Sequence, residues 1–134
     1  MIVNKGLLRR LQLTEYEMLL EVDRICRKNG IMYFLCYGTL LGAVRHKGFI
    51  PWDDDLDIGM TRDHYDTFLK VVKDELNDMY YCLEWNSYSD YSIPYAKIKK
   101  KNTLFRERKG GSSKYNEVFI DIFPFDNVEG RGIR

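Results

Sequence analysis

Trp52-Asp53-Asp54-Asp55-Leu56-Asp57-Ile58-Gly59-Met60 sets four carboxylates where an ordinary fold would place apolar residues. That much negative charge calls for a cation. Pro51 and Trp52 precede the run as a turn, and Leu56, Ile58 and Met60 alternate with the acids in the pattern of a half-buried strand. A solvated acidic loop, the usual fate of like charges in a row, has no reason to alternate. With the segment extended from Asp55 onward, side chains two apart point the same way about 6.5–7 Å apart, so Asp55 and Asp57 can share one or two divalent ions while Asp54 faces away.

Three other motifs fit part of this string, and none survives its flanks. An EF-hand loop starting at Asp53 needs Gly at 58 and Glu at 64, where the chain has Ile58 and His64. The Asp-Asp-x-x-Asp motif of isoprenoid synthases belongs on a helix of a large all-helical protein, whereas this chain is short, Pro-punctuated and mixed. A haloacid-dehalogenase-type phosphatase carries its Asp-x-Asp at the end of an apolar strand with Thr or Val two residues later. Here Pro51 to Asp54 precede the pair and Gly59 follows it.

The chain has 134 residues, enough for one core and one domain. With 21 basic against 20 acidic residues it has no global field for a nucleic-acid backbone, so no nucleic-acid partner is expected. Cys26, Cys36 and Cys82 are odd in number and lack Cys-x-x-Cys spacing, which argues for reduced core residues over disulfides or structural zinc. No apolar run approaches the ~20 residues of a membrane span, and the N-terminus lacks a secretory signal, so a cytoplasmic location is expected. After Pro124 the sequence stops without another element that could pack, and the chain reads as a fragment or truncated form.

Thr14 and Glu17 make a capping box, and Tyr16, Leu19, Val22, Ile25 and Cys26 recur at helical spacing until Asn29-Gly30. Ile31 to Cys36 reads as a buried first strand, Tyr37-Gly38-Thr39 as a break, and Leu40 to Val44 as a short helix closed by Gly48. Thr61 can cap a helix with Tyr65, Phe68, Leu69, Val72 and Leu76 as its apolar stripe. Further strands are expected near Tyr80–Trp85, Tyr95–Lys99, Asn102–Arg106 and Val118–Phe123. The class is α+β, with a mostly antiparallel or mixed sheet flanked by helices.

Asp121 lies inside Val118-Phe119-Ile120-Asp121-Ile122-Phe123, where an uncompensated carboxylate would cost several kcal/mol if buried. It is the expected third metal-site carboxylate, with Asp126 as the fallback. Gly38-Thr39 lies where strand gives way to helix, a natural seat for phosphate. Arg45 ends that helix beside His46 and Lys47; its planar guanidinium suits a phosphate contact, although cations favour a helix C-terminus regardless of function. His46 and His64 have no metal-ligand spacing. From Lys97 to Lys114 runs a basic patch around Gly110-Gly111-Ser112-Ser113, either a solvated face or a loop that closes over an anionic substrate or meets lipid headgroups. Lys97, alternating with Ala96 and Ile98, is its first candidate.

The string from Gly38 through Leu41-Gly42-Ala43-Val44-Arg45-His46-Lys47-Gly48-Phe49-Ile50-Pro51 to Met60 resembles the LicD family, and the likeness continues through Ala96-Lys97-Ile98 to Asp121-Ile122-Phe123-Pro124. This is the phosphocholine transferase group of lipopolysaccharide and teichoic acid, related to fukutin-type ribitol-phosphate transferases. The resemblance implies a single nucleotidyltransferase domain of the DNA polymerase beta type over 1–134, without a C-terminal part that longer members carry. It implies a turn at Gly38 and Thr39, metal ligands or catalytic carboxylates at Asp55, Asp57 and Asp121, and Mg2+ or Mn2+ as the cofactor. The expected reaction moves phosphocholine or a similar phospho-alcohol from a CDP-linked donor to a glycan or glycolipid acceptor in lipopolysaccharide, teichoic acid or capsule synthesis. Peripheral association with the inner face of the membrane would follow. One departure is Tyr37, where many members have a second Gly. The rival readings are NMP transfer to a protein, small molecule or RNA end, and a catalytically incomplete domain that binds nucleotide or a partner.

Overall fold

A computed structural model of the chain describes residues 4–85, 93–104 and 117–128. Three helices, α1 (Lys5–Asn29), α2 (Tyr37–His46) and α3 (Arg62–Glu75), alternate with strands β1 (Phe34–Leu35), β2 (Asp57–Thr61), β3 (Tyr80–Leu83), β4 (Ala96–Lys100) and β5 (Phe119–Phe125). The five strands form one mixed sheet in the order β1-β2-β5-β4-β3. Only β2 and β5 run parallel; the other pairs are antiparallel.

The two faces of this sheet differ in chemistry because side chains alternate. Ile58 and Met60 of β2, Ala96 and Ile98 of β4, and Ile120 and Ile122 of β5 share one core cluster with Met18, Val22 and Ile25 of α1 and Phe68 and Val72 of α3. The opposite face carries Asp57, Gly59, Lys97, Asp121 and Phe123, the residues at the intervening positions. Helices α1 and α3 thus support the sheet from one side and leave the polar residues to the other.

Helix α1 begins well before Thr14. Asn4 caps it, its side-chain oxygen accepting from the Leu7 N–H at 3.0 Å, and Thr14 sits mid-helix donating its hydroxyl to the Arg10 carbonyl. The buried face is Leu8, Leu11, Gln12, Glu15, Met18, Val22, Ile25 and Cys26, while Tyr16 is half exposed. Six residues before Val22, Tyr16 lies a third of a turn off that face at 3.6 residues per turn, whereas Met18, four before, lies on it. At the other end Gly30 adopts φ 66° and closes the helix, at the position expected from Asn29-Gly30.

The first strand is shorter and less buried than expected, two residues at the sheet edge with Phe34 exposed and Leu35 half-buried. The acidic strand begins at Asp57 rather than Asp55, although the Asp121 N–H donates to the Leu56 carbonyl and carries the β5 pairing one residue further back. It is Lys47, at φ 54°, that caps α2, ahead of Gly48. Thr61 does precede α3, but its hydroxyl goes to the Asp63 carboxylate. Of the strand expected at Asn102–Arg106, residues 102–104 form turn and irregular chain; 105 and 106, like the Gly110–Ser113 hinge, lie outside the described residues.

Candidate active site

The centre of the site follows from the parallel pairing of β2 with β5. Asp57 is the register partner of Asp121, and Asp121 is the partner of Lys97 on β4, so acid, acid and base stand side by side on one face. The Lys97 ammonium is 2.7 Å from Asp121 Oδ1 and lies over the Phe119 ring, 3.7 Å from its centroid. Lys97 therefore compensates the carboxylate that the sequence placed inside an apolar strand. Asp126, the fallback, sits at the surface, held by the Arg62 guanidinium at 2.6 and 3.0 Å.

The start of α2 fixes Asp57 through its backbone. Its N–H donates to Thr39 Oγ1 at 2.8 Å and its carbonyl accepts from the Cys36 N–H at 3.2 Å. Gly38 lies against the acidic turn: a Cβ there would stand 3.0 Å from Asp53 Oδ2. The turn itself brings carboxylate oxygens of Asp53, Asp54 and Asp55 within 4.8 Å of one another, so Asp54 does not face away from its neighbours. Asp55 is exposed on this turn, before the strand begins.

Electrostatics make the site hungry for a cation. The Asp57 carboxyl is pushed up to about 7 by burial and by Asp121, Asp55 and Asp53, against which Lys97 pulls it down. An all-carboxylate donor set of this kind suits a hard cation such as Mg2+ or Mn2+ and fits zinc or copper poorly. The histidines are engaged elsewhere: His64 Nδ1 accepts from the Met32 N–H, and His46 packs edge-on against Trp52. Arg45 is exposed at the last turn of α2, about 12 Å along the helix axis from Tyr37.

Two buried polar residues of α1 escaped the sequence reading. Gln12 is 2% exposed, and its Nε2 reaches the carbonyls of Asp53 at 2.8 Å, Ile50 at 3.4 Å and Pro51 at 3.5 Å, while Arg9 donates to its Oε1. Glu15, one turn on and also 2% exposed, has no hydrogen-bond partner at Oε1. Burial first, then Asp55, Asp54, Asp53 and Asp57, push its carboxyl up to about 10. The signal was present in the sequence: Gln12 and Glu15 fall on the face of Leu8, Leu11, Met18 and Val22 when the stripe is phased from Val22 backwards.

Over residues 30–133 the chain matches the model of the LicD/FKTN/FKRP nucleotidyltransferase domain. The chain belongs to the LicD family. It is 39% identical over 128 residues to the lipopolysaccharide cholinephosphotransferase LicD of Haemophilus influenzae, a match covering 94% of this chain and 47% of that protein. A shorter match, 55% identical over 31 residues, links it to human and mouse ribitol 5-phosphate transferase FKRP, covering 23% of this chain and 6% of those proteins. This LicD family chain spans about half the length of the Haemophilus relative. Among its described residues, no helix is long and apolar enough to cross a membrane.

Proposed function

We propose that this chain carries the donor-binding and metal-binding half-reaction of a phospho-alcohol transferase. The group moved is phosphocholine or a close analogue, the donor is its CDP ester, and the acceptor is a hydroxyl of a cell-surface glycan in lipopolysaccharide, teichoic acid or capsule synthesis. The fold would be of the DNA polymerase beta nucleotidyltransferase type, working at the cytoplasmic face of the membrane. The observation that carries this reading is the register pairing of Asp57 with Asp121 beside the Asp53–Asp55 turn. It is supported by the family and by the name of the Haemophilus relative.

In this reading Asp55 and Asp57 hold Mg2+, with Asp121 as third ligand or as the base that takes the acceptor proton. The cation, when bound, neutralises charge on the diphosphate as the new bond forms. Thr39, whose Oγ1 accepts from Asp57, keeps its O–H to donate to a phosphate oxygen at the Gly38 turn. Lys97 holds Asp121 in place. The acceptor oxygen attacks the phosphorus of the alcohol phosphate, the bond to CMP breaks, and CMP leaves.

Calorimetric titration of CDP-choline, CDP-ribitol, CDP-glycerol and ATP with and without Mg2+, beside folded Asp57→Asn, tests it. Mg2+-dependent binding of a CDP-alcohol that the variant loses is the expected result. Binding of ATP or CTP with pyrophosphate release, and none of CDP-alcohols, would replace it with NMP transfer.

A further inference from the structure

The turn that leads into the acidic strand is held from α1 by a single side chain. The turn closes on itself with one backbone bond, the Asp53 N–H donating to the Ile50 carbonyl at 2.9 Å across Pro51 and Trp52. Its carbonyls, which a surface turn usually leaves to water, converge instead on one amide. Gln12 Nε2 lies 2.8 Å from the Asp53 carbonyl oxygen and 3.4 and 3.5 Å from those of Ile50 and Pro51, although Gln12 stands 41 residues before Asp53. Three carbonyl oxygens facing one point make a negative pocket, and the two N–H groups of an amide fill it without bringing a charge. At the other end of the amide, Oε1 accepts from Arg9 Nη1 at 3.0 Å, so the group has one orientation in which both ends are satisfied.

The chain of contacts continues toward the cation site. Asp53 Oδ1 accepts from the Asp55 N–H at 3.3 Å, so Gln12 grips Asp53 by its carbonyl while the Asp53 carboxylate orients the backbone of Asp55. Carboxylate oxygens of Asp53, Asp54 and Asp55 within 4.8 Å of one another repel, and a short turn has little of its own to hold them there. Packing alone does not ask for Gln12. A Leu would continue the buried face that Leu8 and Leu11 begin, and it would hold none of these carbonyls.

We propose that Gln12 is a positioning residue for the cation site, fixing the Asp53–Asp55 turn through its carbonyls, with Arg9 orienting the Gln12 amide. The proposal rests on the cation reading above. Groups that hold a metal's ligands at the binding geometry before the ion arrives set its affinity, and losing one typically costs about 10–100-fold. An amide suits the place, since Lys or Arg would cancel part of the field that attracts the cation, and an ionised Glu would face three carbonyl oxygens with no N–H to give. Both residues belong to α1, ahead of residues 30–133 that match the family model.

The test uses the full chain, with Mn2+ affinity read by electron paramagnetic resonance and amide hydrogen exchange read by NMR. Gln12→Met keeps the length of the side chain without its amide, and Arg9→Met removes only the orienting guanidinium at an exposed position. Val22→Ala, on the same buried face of α1, loosens the core away from the turn. Gln12→Met should weaken Mn2+ binding about tenfold and speed exchange of the Asp53 N–H about tenfold relative to amides of β4 and β5. Arg9→Met should weaken Mn2+ binding about threefold in the native chain and not at all beside Gln12→Met, because its effect passes through that amide. Val22→Ala should keep Mn2+ affinity within about twofold while lowering the melting temperature. Native affinity and exchange in folded Gln12→Met, or an equal loss of affinity in Val22→Ala, would overturn the proposal. Should Gln12→Met not fold, unchanged Mn2+ affinity and Asp53 exchange in Arg9→Met would overturn it on their own. A native chain that binds no Mn2+ would sink the cation reading; faster Asp53 exchange in Gln12→Met would then keep Gln12 as the residue that fixes the turn, and unchanged exchange would end both.

Discussion

Glu15 shows how far one residue can be read. Its neighbours Asp53, Asp54, Asp55 and Asp57 announce themselves in the sequence as acids in an alternating run, and Asp121 as an acid inside an apolar strand. Glu15 is hidden in a long amphipathic helix whose charged residues are mostly solvated, so only the correct phase of the stripe exposes it. Its chemistry is the more perturbed for that. With its carboxyl pushed from 4.5 to about 10, the folded protein holds a proton that the unfolded chain releases above pH 4.5. The stability associated with that proton is complete below about pH 4.5 and is lost as pH rises, with a slope of about 1.4 kcal/mol per pH unit until the folded carboxyl ionises. Asp57, pushed up to about 7, adds to the slope only below that pH, and the unfolded cysteines begin to ionise near 8.5. Between pH 7 and 8, urea denaturation of the metal-free protein should therefore show this fall, and Glu15→Gln should abolish most of it while raising stability at pH 8. An unchanged slope in the variant would mean that Glu15 is ionised in the fold.

Among the elements, α2 carries the most consequence for its length. The sequence reads as strand, glycine turn, short helix, and that order holds, but the left-handed backbone at Tyr37 and Lys47 was invisible because neither is Gly or Asn. The one at Lys47 begins the turn by which the chain doubles back after α2. A Cβ at Gly42 would meet the Gly48 carbonyl oxygen at 2.5 Å and the Ile50 nitrogen at 2.8 Å, backbone atoms that cannot rotate away. Ile50 then accepts from the Asp53 N–H at 2.9 Å, so the crossing at Gly42 sets where the acidic turn begins. Gly42→Ala should cost about 1–3 kcal/mol in denaturation and weaken Mn2+ binding, whereas Gly48→Ala, with open space around its Cβ, should stay within about 0.5 kcal/mol. Equal behaviour of the two variants would remove the crossing from the account. The short β1 is the converse case: apolar and aromatic residues suggested a buried strand, yet an edge position leaves Phe34 to cover Gly59 from outside.

At the scale of the molecule, the order β1-β2-β5-β4-β3 joins distant parts of the chain into one site. Local patterns gave most of the strands and the α+β class; the parallel contact of residue 57 with residue 121 depends on a long-range pairing that periodicity cannot supply. That pairing stores repulsion in the cation-free protein, since Asp121 is the first of the charges that hold Asp57 up. A cation that binds only the folded state adds RT ln(1 + [L]/Kd), about 2.7 kcal/mol at a hundred times Kd, and here it also relieves that repulsion. Thermal unfolding at pH 7.5 should therefore shift upward with Mg2+ or Mn2+ in the native chain. Asp57→Asn should melt at or above the metal-free native protein, because a neutral amide ends the repulsion, and should gain nothing from the metal. A variant that melts lower and still responds to Mn2+ would place the cation on the Asp53–Asp55 turn alone, leaving the Asp57–Asp121 pair a structural contact between strands.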